Sequence, residues 1–240
     1  MRLVRLMTIL IAVVLAGQLL AETELTPHTA QYKVKISIVS GQLNTELRQT
    51  ENGYVAKHVI KPTGLSRLLT RGTMEVTSTF TSGPDGVKPV RFQSVDTVRH
   101  DPDIDLNFDW STNEVTGTVG EDSVSLQLDG TAYDDVSIQY ALMHDLLNGG
   151  SKEEYVLFDI DRMQIANVTI AGEKEIKTKA GKFRAIGIRH QKEGSSRITT
   201  LWCAAELGYL PVMIEQYKKG KLKFRARLTK YKPGPGFNQK

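Results

Sequence analysis

The segment Tyr32-Lys33-Val34-Lys35-Ile36-Ser37-Ile38 sets Tyr32, Val34, Ile36 and Ile38 against Lys33, Lys35 and Ser37. A two-residue period puts every apolar side chain on one face of an extended strand and every polar one on the other. One face must be covered while the other stays wet, as in an antiparallel sheet. The same period returns near 42–50, 53–61, 72–81, 87–99, 104–110, 115–119 and 123–128. Turn formers separate these runs, among them Glu51-Asn52-Gly53, Ser82-Gly83-Pro84-Asp85-Gly86, Asp101-Pro102-Asp103 and Ser111-Thr112-Asn113. Connections this short make hairpins, because a parallel pair needs a long crossover.

One stretch breaks the period. From Asp134 or Asp135, either of which can cap a helix, the chain runs through Val136, Ile138, Tyr140, Ala141, Leu142, Met143, Leu146 and Leu147 to a stop at Gly149-Gly150. A helix apolar around most of its circumference is covered on more than one side, so it is expected inside the curve of the sheet. A weaker helical turn is expected at Leu65–Leu69. Strands resume near 153–159, 163–172, 182–191, 196–203, 210–217 and 221–231. The expected fold is mainly β: a single large curved antiparallel sheet or half-barrel of about 12–14 strands with one buried helix near 134–147. No linker or change of composition divides residues 22–232, so one domain is expected, with 233–240 as a flexible tail.

The amino terminus differs from the rest. Arg2 and Arg5 precede an apolar run from about Met7 to Leu20 that ends at Ala21, before Glu22. This is the pattern of a signal peptide over residues 1–21, its apolar run too short for a comfortable membrane span; the alternative is an uncleaved membrane anchor, against which the abruptly polar and acidic flank speaks. Export to the periplasm follows as an expectation, with no transmembrane segment after cleavage. Loss of residues 1–21 leaves a formal charge of +2, made of nine basic and no acidic residues in 216–240 and a net −7 in 22–215. The single cysteine, Cys203 between Trp202 and Ala204, reads as a small buried hydrophobe and rules out an internal disulfide.

The chemical motifs are few. The run His100-Asp101-Pro102-Asp103-Ile104-Asp105 offers alternating carboxylates, but Leu106 and Thr112 stand where a calcium loop needs Gly and Glu. It reads instead as a turn and then a strand with Ile104, Leu106, Phe108 and Trp110 on its buried face. His28, His58, His100, His144 and His190 show no zinc-ligand spacing, and no nucleophile elbow, phosphate loop or dinucleotide fingerprint is present. No metal, cofactor or catalytic residue is therefore expected, although dispersed acids would leave no local motif. In Lys221-Leu222-Lys223-Phe224-Arg225-Ala226-Arg227-Leu228 every outward residue is cationic. That pattern suits a charged edge strand or a surface that holds an anion.

Gly181-Lys182-Phe183-Arg184-Ala185, Trp202 and Leu207-Gly208-Tyr209-Leu210-Pro211-Val212-Met213-Ile214-Glu215, with Asp135, Ser137 and Tyr140-Ala141-Leu142, resemble the bacterial exported family numbered 3108 among domains of unknown function. The resemblance spans about residues 30–230 and rests on turn and core positions, while Cys203-Ala204-Ala205-Glu206 departs from the acidic residues the family leads one to expect. It implies the fold and no reaction. A curved sheet around an apolar helix is also similar to the half-barrel of periplasmic lipoprotein carriers. The leading expectation is a periplasmic binding protein or carrier for an acyl chain, a lipid or a lipopolysaccharide-like ligand, with Phe108, Trp110, Tyr140, Met143 and Leu147 lining the site and Lys221, Lys223 and Arg225 meeting anionic groups. Nucleic acid is not expected as a partner. The alternatives are an envelope assembly or interaction factor without a ligand, and a hydrolase with dispersed acids. A cavity above ~300 Å³ beside the helix favours a carrier, a solid core favours an interaction factor, and two carboxylates converging in a cleft favour an enzyme.

Overall fold

Tyr32 and Val34 are buried and Lys33 and Lys35 exposed, so the alternation of the first strand is the alternation of the sheet's two faces. The computed structural model describes residues 23–36, 39–159 and 162–234; the expected signal peptide and residues 235–240 of the expected tail lie outside them. In chain order the strands are β1 His28–Ile36, β2 Val39–Thr50, β3 Gly53–Pro62, β4 Met74–Gly83, β5 Gly86–Asp96, β6 Asp101–Asp109, β7 Glu114–Val119 and β8 Asp122–Gln127. They continue as β9 Ala132–Tyr133, β10 Glu154–Asp159, β11 Arg162–Lys177, β12 Lys182–Lys192, β13 Arg197–Ala204, β14 Leu210–Lys218 and β15 Lys221–Pro233. Two α-helices, α1 Ser66–Leu69 and α2 Ser137–Leu147, complete the described elements with a 3-10 turn at Ala205–Leu207.

All fifteen strands form one sheet in the order β8-β7-β6-β5-β4-β3-β2-β1-β15-β14-β13-β12-β11-β10-β9. Two meanders therefore meet at a central β1–β15 seam. The carboxy-terminal strand reaches further than expected, since Pro233 still stands opposite His28 and the Gly234 amide donates to the Pro27 carbonyl.

Every pair is antiparallel except β9–β10, where Ala132 and Tyr133 stand parallel to Val156 and Leu157. The two-residue β9 lies between turn signals and is too short to show a period, so it was missing from the expected strands. The parallel pair has the same cause as the helix: α2 supplies the crossover that returns the chain to the end where β9 began. The sheet curls until Phe158 of β10 meets Phe108 of β6 edge-on, with ring centroids 5.9 Å apart. It does not close by hydrogen bonds.

The helix starts where the sequence places it. Asp134 Oδ1 accepts the Val136 and Ser137 amides, both at 2.8 Å, and Ser137 Oγ accepts the Asp134 amide at 3.0 Å. This reciprocal cap satisfies donors that the first turn would otherwise leave orphaned. Asp134 Oδ2 also accepts the Ser78 hydroxyl at 2.7 Å, which ties the helix start to the inner face of β4. At the other end the Asn148 side chain exchanges hydrogen bonds with the Thr23 backbone, and Leu25 is buried in the core.

Candidate functional site

The hairpins β1–β2, β5–β6, β7–β8, β10–β11, β12–β13 and β14–β15 turn at one end of the rolled sheet, together with the connection that carries α1. Two cavities lie at that end, one on each flank of the first turns of α2. The first, of about 540 Å³, is lined by His58, Val76, Phe92, Ile104, Leu106 and Val119 from β3 to β7 and by Phe158. The second, of about 660 Å³, lies against Ile138, Gln139 and Leu142 of α2 and takes Gln164, His190, Thr199 and Gln216 from the opposite strands. The first is mainly apolar and the second mainly polar. Asp135 and Asp159 line both, so the cavities adjoin at these two carboxylates.

The charges are concentrated at that junction. Lys192 Nζ lies 3.4 Å from Asp159 Oδ2. Water reaches Asp135, yet the concave walls strip away bulk solvent and raise its carboxyl, Lys192 pulls it back down and Asp159 pushes it up again. Burial holds two histidines of the cavity walls neutral: His190 is lowered to about 4 by desolvation and then by Lys192, and His58 to about 4 by desolvation and then by His28. At the rim of the apolar cavity burial raises the Asp96 carboxyl, but the amides of Arg99 and Val98 and the Arg99 guanidinium outweigh it and leave it below the usual range.

The residues expected to line a site sit elsewhere. Phe108 stacks on Trp110 at 6.1 Å, and Trp110 Nε1 donates to the Pro89 carbonyl at 2.6 Å. Tyr140 is fully enclosed, its ring stacked on Phe80 at 5.3 Å and its hydroxyl 3.3 Å from His58 Nε2. Met143 is buried and Leu147 half-buried at the last turn of α2. Phe108, Tyr140 and Met143 belong to the core and Trp110 and Leu147 pack against it, and the face of α2 that meets the polar cavity is Ile138, Gln139 and Leu142. Lys221 and Lys223 are exposed, whereas Arg225 is engaged by Glu215, which accepts from its Nε at 2.9 Å. The strand that carries them is central, between β1 and β14, so protection of a sheet edge does not account for its charge.

Sequence reasoning took Asp135 as a cap and a position of the family resemblance, tested His190 only for zinc-ligand spacing, and passed over Asp159, Lys192 and Gln216 altogether. They come from separate elements and share no spacing. The available signal was an exception to the period: Gln164, His190, Thr199 and Gln216 are polar at inward positions, where the alternation calls for apolar side chains.

A single sheet rolled about one buried helix, with a divided cavity at one end, defines a half-barrel class of β protein. Within that class the chain belongs to the family DUF3108, described as a protein of unknown function, whose model matches residues 29–227. No curated protein matches the sequence. A solved structure from Brucella abortus, a β-barrel-like protein of the domain of unknown function DUF1849, is similar at 13% identity, covering 89% of this chain and 100% of its own, with a TM-score of 0.59. A candidate lipoprotein from Parabacteroides distasonis aligns at 9% identity over 87% of this chain and 96% of its own, with a TM-score of 0.34. The first likeness concerns the fold alone. Among the described residues no helix is long and apolar enough to cross a membrane.

Proposed function

We propose that the protein is exported to the periplasm, where it binds and carries an amphipathic, lipid-like envelope ligand in the divided cavity. The observation that carries this reading is the pairing of an apolar cavity of about 540 Å³ with a polar one of about 660 Å³ across α2. Each falls in the ~300–1,000 Å³ range of small-molecule sites. An acyl chain suits the walls of Val76, Phe92, Ile104 and Leu106, and a polar head suits Gln164, His190, Thr199 and Gln216. Asp135 and Asp159 stand where the two parts of such a molecule join. The core residues of α2 position the cavity and do not touch the ligand.

The test is native mass spectrometry of protein purified from its own cell envelope, beside an Ile104→Trp variant. Ile104 is only half-buried and faces the apolar cavity, so an indole there fills space without displacing the core. The parent should carry a lipid adduct, and the variant should lose most of it at an unchanged thermal midpoint. A parent free of lipid would defeat the proposal and favour an interaction factor.

The meeting of Asp135 and Asp159 favours one second reading, hydrolysis by an acid pair, in which Asp135 with its raised affinity for a proton is the general acid. It predicts turnover of an envelope component by the parent and none by Asp135→Asn, whereas a carrier changes no ligand chemically.

A further inference from the structure

On the outer face of the sheet, away from the divided cavity, a cleft of about 350 Å³ lies between the β1–β15 seam and the β11–β12 hairpin. Its walls carry Lys33, Lys35, Lys177, Lys179, Arg225 and Arg227, with Thr178, Leu228 and Thr229. The register makes this arrangement costly. Lys33 stands directly opposite Arg227, and Lys35 directly opposite Arg225, on the hydrogen-bonded neighbours β1 and β15. Like charges in that position repel and weaken a sheet.

Little on the protein relieves the repulsion. Glu215 is the acid at hand, and it is already taken up by Arg225 at 2.6 Å, by Lys174 at 3.9 Å and by the Trp202 indole at 3.3 Å. Beyond the cleft on the β2 side Lys33 faces Gln42 and Lys35 faces Ser40, neither of them acidic. Among the described residues no ion pair is formed by Lys33, Lys35, Lys177, Lys179 or Arg227. Central strands have no edge to protect, so five uncompensated cations converge from three separate segments without a role in sheet specificity.

We infer that this cleft is an anion site for a phosphate or phosphodiester group. Lysine ammonium groups on flexible stems act as point charges toward phosphate, and an arginine adds directed N–H donors. The aliphatic stems of the lysines and arginines give the cleft apolar walls under a charged rim, which suits a phosphate attached to an organic body. This site is independent of the proposed carrier function and stands if the divided cavity proves empty.

The experiment measures binding of inorganic pyrophosphate by titration calorimetry, and of phosphatidylglycerol and phosphatidylcholine vesicles by sedimentation, for the full mature chain. Two cleft variants, Lys33→Gln with Lys35→Gln and Lys177→Gln with Lys179→Gln, are compared with a control, Lys218→Gln with Lys219→Gln, outside the cleft. Each lysine near an anionic surface adds about fivefold in affinity, so each cleft pair should lose binding by at least ~tenfold while the control keeps it. Binding of pyrophosphate identifies a free phosphate compound as the source, and binding of phosphatidylglycerol vesicles alone identifies a membrane headgroup. Thermal midpoints should hold or rise in the Lys33/Lys35 variant, since cross-strand repulsion is removed. Absence of binding to either probe, or an equal loss in the control, overturns the inference.

Discussion

Replacing Asp134 by alanine should cut the link between helix and sheet at a single atom group. Its carboxylate accepts the Val136 and Ser137 amides at 2.8 Å and the Ser78 hydroxyl at 2.7 Å, and both Asp134 and Ser78 are buried. Loss of the cap costs about 1 kcal/mol. Stranding the buried Ser78 hydroxyl costs a further ~1–3 kcal/mol. Burial raises the Asp134 carboxyl, so removing that poorly solvated charge returns part of the sum. The net expectation is about 2–3 kcal/mol, a fall in thermal midpoint on the order of 4–12 °C for a chain of this size. Two variants separate the causes. Asp134→Asn keeps an acceptor for the helix amides and gives Ser78 an N–H to accept from, so it should cost about 1 kcal/mol or less. Asp135→Ala removes a solvent-reached carboxylate and should stay within ~0.5 kcal/mol. If thermal melts show Asp134→Ala no worse than Asp135→Ala, the capping network does not hold α2 in place and the account of its position is wrong.

Three further outcomes follow from the same geometry. Met143→Ala should cost ~2–5 kcal/mol in urea unfolding, because a buried side chain is deleted in a closed core, and lipid content should fall only as stability does. Stability should decline as pH falls from about 6.5 toward 4, since unfolded histidines take up protons there while native His58 and His190, lowered to about 4, do not. The ceiling is ~3 kcal/mol for each ring, reduced by water in the cavities, and a flat profile in equilibrium unfolding between pH 7 and pH 4.5 would contradict it. Gly117→Ala should destabilise β7 strongly, because φ is +153° there and an added Cβ would collide with the Asp105 carbonyl oxygen; normal thermal stability in that variant would argue against the β6–β7 register.

The alternation beginning at Tyr32 was enough to expose the sheet, and Asp134 with Gly149-Gly150 bounded the helix, because period and caps are local properties written in adjacent residues. The roll of the sheet was less visible. It depends on Phe158 reaching Phe108, fifty residues away in sequence, and on the short β9 whose pairing is set by the crossover. The apolar helix suggested a site lined by Tyr140, Met143 and Leu147, but its circumference is divided: Tyr140 and Met143 fill the core and Ile138, Gln139 and Leu142 line the polar cavity. Composition cannot tell those two faces apart, since both are mostly apolar. The basic strand was legible as a pattern, but its meaning turned on a central position and on Lys33 and Lys35 across the seam, which only pairing reveals.

The proposed carrier function requires that the cavity beside the first turns of α2 hold the apolar part of a ligand. The most direct measurement is photo-crosslinking with a diazirine-bearing fatty acid, followed by peptide mapping of the labelled positions. Labels should fall on Val76, Phe92 or Ile104, should be displaced by unlabelled fatty acid, and should disappear in Ile104→Trp. Labels confined to the outer face of the sheet, or none that an unlabelled chain displaces, would contradict it.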